Sequence, residues 1–216
     1  MNTKLILLLL VLSVFATSLL KAQQITYGIQ AGGGISTIVD DIKPDVDINL
    51  EVDDFYKPMF SYTLNVYVGY KSESFWGVTL EPGFIQKGAK SKALFVGDTY
   101  NQIGLNCLQL PVLADLYLGK KITVSLGPDF SYLLSTKAKL DDGSQTTIEG
   151  IYTKTEVSGI IGVSYALSEK FVVGMRYDHG ITPIMNIELV DEQGVITQSK
   201  YKLYNQYGQF YLRFKI

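Results

Sequence analysis

The sequence predicts an all-β protein, an eight-stranded antiparallel up-and-down transmembrane β-barrel. Three observations lead there. After residue 24, eight stretches alternate apolar and polar residues, the period of a strand with two unlike faces. The links between them alternate in length: 36–58, 88–104, 135–152 and 182–203 are long, whereas 71–74, 119–120 and 168–169 are short. An outer-membrane barrel has this layout, with tight periplasmic turns, longer extracellular loops and an even strand number. Finally, no 3.6-residue apolar period is sustained beyond the N-terminus, while Gly, β-branched residues, fifteen Tyr and ten Phe fill the segments.

The N-terminus reads as a secretory signal. Lys4 supplies the positive region, Leu5 to Leu20 the apolar run, and Ala22 the small residue at the cleavage position. The run is short for a spanning helix, which needs about 20 apolar residues. The expected organisation is therefore a cleaved signal peptide over 1–22 and one outer-membrane barrel domain over 23–216. Loss of Lys4 and Lys21 with the signal takes the formal charge from −2 to −4. No basic run and no basic excess point to nucleic acid.

Strand one, 25–35, sets Tyr27, Ile29 and Ala31 against Thr26, Gly28, Gln30 and Gly32. Strand two, 59–70, sets Phe60, Tyr62, Leu64, Val66, Val68 and Tyr70 against Ser61, Thr63, Asn65 and Gly69. Strand three, 75–87, sets Trp76, Val78, Leu80 and Phe84 against Gly77, Thr79, Glu81 and Gly83. Strand four, 105–118, sets Leu108, Leu110, Val112, Leu116 and Leu118 against Gln109 and Asp115. Strand five, 121–134, sets Ile122, Val124, Leu126, Phe130 and Tyr132 against Thr123, Ser125, Gly127, Asp129 and Ser131. Strand six, 153–167, sets Val157, Ile161, Val163 and Tyr165 against Glu156, Ser158, Gly162 and Ser164. Strand seven, 170–181, sets Phe171, Val173, Met175 and Tyr177 against Gly174, Arg176, Asp178 and Gly180. Strand eight, 204–216, sets Phe210, Leu212, Phe214 and Ile216 against Tyr207, Gln209, Tyr211, Arg213 and Lys215.

Alternation alone does not choose the inner face, because a soluble lipocalin-like carrier alternates with its apolar face inward. The aromatic residues choose it. Tyr27, Tyr70, Trp76, Tyr165, Phe171 and Phe214 lie at one end of the apolar face, and Phe60, Phe84, Tyr132, Tyr177 and Tyr204 at the other. These are two interfacial girdles, where a ring buries its body and wets its edge. The opposite face is mostly Gly, Ser, Thr, Asn and Gln, small enough for the narrow lumen of eight strands.

Chemistry-bearing residues are few. Glu81, Asp115, Asp129, Glu156, Arg176, Asp178 and Arg213 share the polar face. Charges in a closed lumen must be paired, so they read as a salt-bridged plug, with Asp178, Glu156 or Asp129 the expected partners of Arg176. The single histidine, His179, falls on the lipid-facing parity without a serine partner or a G-x-S-x-G, so no catalytic residue is expected. The single cysteine, Cys107, reads as a packing residue in a strand. One His and one Cys leave no zinc-ligand cluster, and neither metal nor cofactor is expected. The link 36–58 is acidic, with Asp40, Asp41, Asp45, Asp47, Glu51, Asp53 and Asp54, but it lacks EF-hand spacing and reads as solvated. Gly32-Gly33-Gly34 precedes no helix; it lets the strand bend or makes room for large neighbours inside.

Several stretches, in order, resemble the PorT-like outer-membrane β-barrel family of Gram-negative bacteria. They are Tyr27-Gly28-Ile29-Gln30-Ala31-Gly32-Gly33-Gly34, Leu80-Glu81-Pro82-Gly83-Phe84-Ile85-Gln86-Lys87-Gly88-Ala89-Lys90, Leu108-Gln109-Leu110-Pro111-Val112-Leu113 followed by Leu126-Gly127-Pro128, Arg176-Tyr177-Asp178-His179-Gly180-Ile181, and Arg213-Phe214. The resemblance implies an eight-stranded barrel in the outer membrane. The expected role is non-enzymatic, structural or mediated by the loops. Expected partners are outer-membrane lipid, the outer-membrane assembly machinery and proteins met at the extracellular loops. The alternatives are a narrow channel or small-ligand binder, a soluble lipocalin-like carrier, and a surface hydrolase around His179.

Overall fold

In a computed structural model of the chain, the structure describes residues 24–40, 56–92, 100–139, 143–148, 150–190 and 196–216. Residues 1–22, expected to be a signal peptide, and most of the acidic link lie outside the described residues. The strands are β1 (Gln24–Asp40), β2 (Tyr56–Lys57), β3 (Met59–Lys71), β4 (Trp76–Leu80), β5 (Gly83–Lys92), β6 (Tyr100–Leu118), β7 (Ile122–Lys139), β8 (Gln145–Thr147), β9 (Thr155–Ala166), β10 (Phe171–Gly180), β11 (Met185–Val190) and β12 (Ile196–Lys215).

They make eight staves. β2 runs into β3 past Pro58. β4 and β5 are one stave interrupted at Glu81-Pro82, and their register against β3 and β6 is unchanged across the gap. β10 continues into β11, which pairs the upper part of β12. Each stave pairs antiparallel with its neighbours in chain order, and β1 closes the ring on β12 from Gly28↔Lys215 to Asp40↔Leu203. Closure leaves the wall without an edge, which the hydrocarbon of a bilayer requires.

The three short turns lie near the expected positions. Gly119 takes φ 73°, a conformation that Gly adopts without penalty. Ser168 Oγ accepts the N–H groups of Lys170 and Phe171 at 3.3 and 3.1 Å, closing the turn into β10. Ser72 donates from its amide and its hydroxyl to the Trp76 carbonyl at 3.1 and 2.8 Å. The other end differs from expectation. β1, β5, β6 and β7 each run 5 residues into the links and β12 runs 8, and β8 adds a short strand against β7. Two irregularities interrupt the ladders: Asn106 and Cys107 of β6 face Ser135 and Leu133 of β7 while Leu134 bulges outward, and β11 shifts register against β12 between Glu188 and Val190.

The apolar parity faces outward: Leu64 is 59 % exposed and Phe210 69 %, whereas Thr63 and Gln209 are buried. A contiguous apolar belt around the wall would be a liability in water and is matched by hydrocarbon in a bilayer. The inward-apolar carrier arrangement is therefore not the one adopted. Aromatic pairs stand at both ends of the belt. Tyr70 meets Trp76 with ring centroids 5.9 Å apart and Phe171 meets Phe214 at 5.2 Å at the short-turn end, and Tyr62 meets Phe84 at 6.0 Å at the other. Tyr27, Phe60, Tyr132, Tyr165 and Tyr177 are exposed in the same two zones.

Large side chains inside the ring are accommodated by glycine. A Cβ on Gly174 would lie 2.4 Å from the Tyr211 ring, and one on Gly28 would lie 2.9 Å from the Tyr67 ring.

Candidate functional site

The lumen is layered. Its lower layer is built on Glu81, which projects from the gap between β4 and β5 and is fully buried. Arg176 on β10 reaches it from the opposite wall and donates through both terminal nitrogens, Nη1 to Oε2 at 2.7 Å and Nη2 to Oε1 at 3.2 Å. Arg213 on β12 donates to the same Oε1, and its Nε bonds Gln30 Oε1 at 3.0 Å. Gln30 also donates to Glu81 Oε2 at 3.1 Å. Tyrosine rings complete the layer: the Arg176 guanidinium carbon is 4.5 Å from the Tyr211 ring centroid and that of Arg213 is 4.4 Å from the Tyr67 centroid. A planar fork suits this task, because it pairs a carboxylate bidentately while stacking on a ring.

This pairing corrects the expected one. Arg176 was expected to pair with Asp178, Glu156 or Asp129 on adjacent strands; its partner is Glu81, four staves away around a ring of eight. Across a small lumen, the opposite wall is within reach of a long side chain. Asp115 stands apart, taking hydrogen bonds from the Thr79 and Ser125 hydroxyls.

The upper layer contains the remaining carboxylates. Lys87, fully buried on β5, lies 3.0 Å from Glu156 Oε2. Asn205 Nδ2 donates to that same oxygen at 3.1 Å. Asp129 accepts from Ser131 Oγ at 2.8 Å, and Asp178 is buried on the same side. Lys87 is absent from the residue set read from the sequence. The signal was present, since Glu81, Gly83, Ile85 and Lys87 share one parity, but the strand was expected to end at residue 87.

Above these charges sits an apolar cluster, including Ile38, Ile103, Leu105, Tyr152, Ile184, Met185 and Leu203. Cys107 is buried within it as a free thiol. The lumen is thus polar below and apolar at the mouth, whereas a polar lining throughout was expected. The Tyr152 hydroxyl, in the link above β7, is held up at about 12 by burial. His179 is on the outer face, with Nδ1 3.2 Å from Gln206 Nε2 and 3.4 Å from the Tyr177 hydroxyl. Among the described residues, no three His, Cys, Asp or Glu side chains converge to hold a metal ion.

Residues 21–186 match the family described as outer membrane protein beta-barrel domain. The fold is similar to that of Neisserial surface protein A, with a TM-score of 0.52 and 11 % identity over 89 % of this chain and 99 % of that one. Two further solved structures are similar at lower scores. The attachment invasion locus protein Ail of Yersinia pestis, in complex with the heparin analogue sucrose octasulfate, gives 0.47 at 11 % identity over 89 % and 99 % of the two chains. The outer membrane protein OprG from Pseudomonas aeruginosa gives 0.41 at 14 % over 88 % and 96 %. No curated protein matches the chain. The outward apolar belt, the closed ring and the family match place the protein in the bacterial outer membrane. The chain belongs to the outer-membrane protein β-barrel domain family.

Proposed function

We propose that the chain is a non-enzymatic barrel of the PorT-like type. In this reading it resides in a Gram-negative cell after loss of residues 1–22, and it acts as a structural protein or through its extracellular links. Its partners are then outer-membrane lipid, the assembly machinery that inserts it, and proteins met at those links. The ordered strand motifs support the PorT-like assignment.

The observation that carries the role is the Glu81–Arg176–Arg213 layer. It spans the lumen from wall to wall with charge-assisted hydrogen bonds and two stacked tyrosines. An eight-stranded ring has interior enough for side chains and little else. The geometry around His179 favours the same reading, since its hydrogen-bonding neighbours are a tyrosine and a glutamine, neither of which orients a general base as a carboxylate does. Purified protein in planar bilayers is expected to give no steady single-channel current above bilayer leak. Steady currents that disappear when the lumen is made bulkier would instead establish a narrow channel.

A further inference from the structure

Three carboxylates share the upper lumen with one cation. Asp129, Glu156 and Asp178 are all buried there, and among the described residues Lys87 is the only cationic side chain placed among them. The formal sum is −2. In the lower layer Glu81 faces two arginines, while Asp115 stands apart against the Thr79 and Ser125 hydroxyls; taken together these five carboxylates and three cations again sum to −2.

The oxygens tell the same story independently. Asp129 Oδ1, Glu156 Oε1, Ser158 Oγ and Asn205 Oδ1 are buried and have no hydrogen-bond partner. The strand ladders bring them together. Ser158 on β9 is in register with Asp129 on β7 and with Gly180 on β10. The Asn205 backbone on β12 faces Gly180, 3.1 and 3.2 Å from where a Cβ would be. Glu156 Oε1 lies 3.4 Å from that same point, in room left by the missing side chain, and Asn205 Nδ2 holds the other Glu156 oxygen. Glu156 Oε1 therefore lies beside Gly180, Ser158 is its register neighbour, and Asp129 and Asn205 stand on the strands flanking these two, with Lys87 Nζ, itself without a hydrogen bond, paired only electrostatically with Glu156. Burying such groups without a partner is costly, because the water they lose is not replaced.

We propose that this stretch of the upper lumen binds one divalent cation of the hard, oxygen-preferring class, calcium or magnesium, through Asp129, Glu156, Ser158 and Asn205. Water alone would meet the hydrogen-bonding need but not the charge, whereas a divalent ion cancels −2. Oxygen donors without sulfur or imidazole select this class over zinc or copper. Two carboxylates, a hydroxyl and an amide oxygen leave coordination positions to water, which both ions accept. The Glu156 carboxylate then bridges the ion on one oxygen and Lys87 on the other.

The full chain would be folded in detergent with millimolar calcium chloride, or separately magnesium chloride, desalted into metal-free buffer and assayed for metal by mass spectrometry. About one ion per chain is expected for one of the two metals. Asp129→Asn and Ser158→Ala should each lower retention about ten-fold or more while the barrel still shows its folded gel mobility. Asn replacements at Asp45, Asp47, Asp53 and Asp54 should leave retention unchanged, because these residues lie in the acidic link. Chelation should lower the thermal unfolding midpoint of the wild type and leave that of Ser158→Ala unmoved. Absence of a retained ion with both metals would overturn the proposal. So would retention that survives both lumen variants and vanishes with the link variant.

Discussion

Replacing Glu81 with methionine should destabilise the barrel more than replacing either arginine it binds. Glu81 is the shared anion of Arg176 and Arg213 and is fully buried. Its loss leaves two guanidinium groups in the lumen with only Gln30 and two tyrosine faces between them. Removing one partner of a buried pair costs about 3–5 kcal/mol, and Arg213, partly accessible, can recover some of that by turning to water. Loss of Arg176 is milder, since Glu81 keeps Arg213 and Gln30. Urea unfolding in lipid vesicles, followed by Trp76 fluorescence, gives the comparison. The double variant Glu81→Met/Arg176→Met should recover part of the loss, because an apolar pair of similar volume is often neutral relative to the ion pair it replaces. A Glu81→Met midpoint equal to wild type would mean that the layer is solvated and that the lumen is open there.

Lys87→Met should have the second large effect. It removes the only cationic side chain that, among the described residues, faces Asp129, Glu156 and Asp178, and methionine fills the space without supplying charge or donors. In metal-free buffer at neutral pH the loss should again be about 3–5 kcal/mol, and acid sufficient to protonate the carboxylates should restore much of it. Lys90→Met serves as the control. It is exposed on the same strand, where substitutions change stability by about 0.5 kcal/mol or less. If Lys87→Met and Lys90→Met unfold together, the upper lumen is wet and its charges are screened.

The wall was legible in the sequence because its physics is local. Whether Leu64 or Thr63 meets hydrocarbon depends on parity within one strand, and the parity read from the residues is the one observed. The three short turns were legible for the same reason. What failed was non-local. The partner of Arg176 was sought by strand order, which counts neighbours along the wall, yet Glu81 reaches it across the diameter. Lys87 and the apolar mouth were missed together. Above the membrane belt the alternation dissolves into Lys, Ser, Gly and isolated aliphatics, and residues such as Ile38, Ile103, Met185 and Leu203 read as parts of links. The outward bulge at Leu134 left no mark that alternation could register.

The central claim is that one parity of every strand meets lipid and the other a filled interior. A nitroxide side chain moved one residue at a time along β12 from Tyr207 to Lys215, in lipid vesicles, tests it most directly. Collision with oxygen, which dissolves in hydrocarbon, should peak at Phe210, Leu212 and Phe214 and fall at the alternate positions. Collision with a water-soluble nickel chelate should stay low across that span. A chelate signal that peaks at Gln209, Tyr211 and Arg213 would show a water-filled lumen, and an inverted oxygen pattern would show that the apolar face points inward.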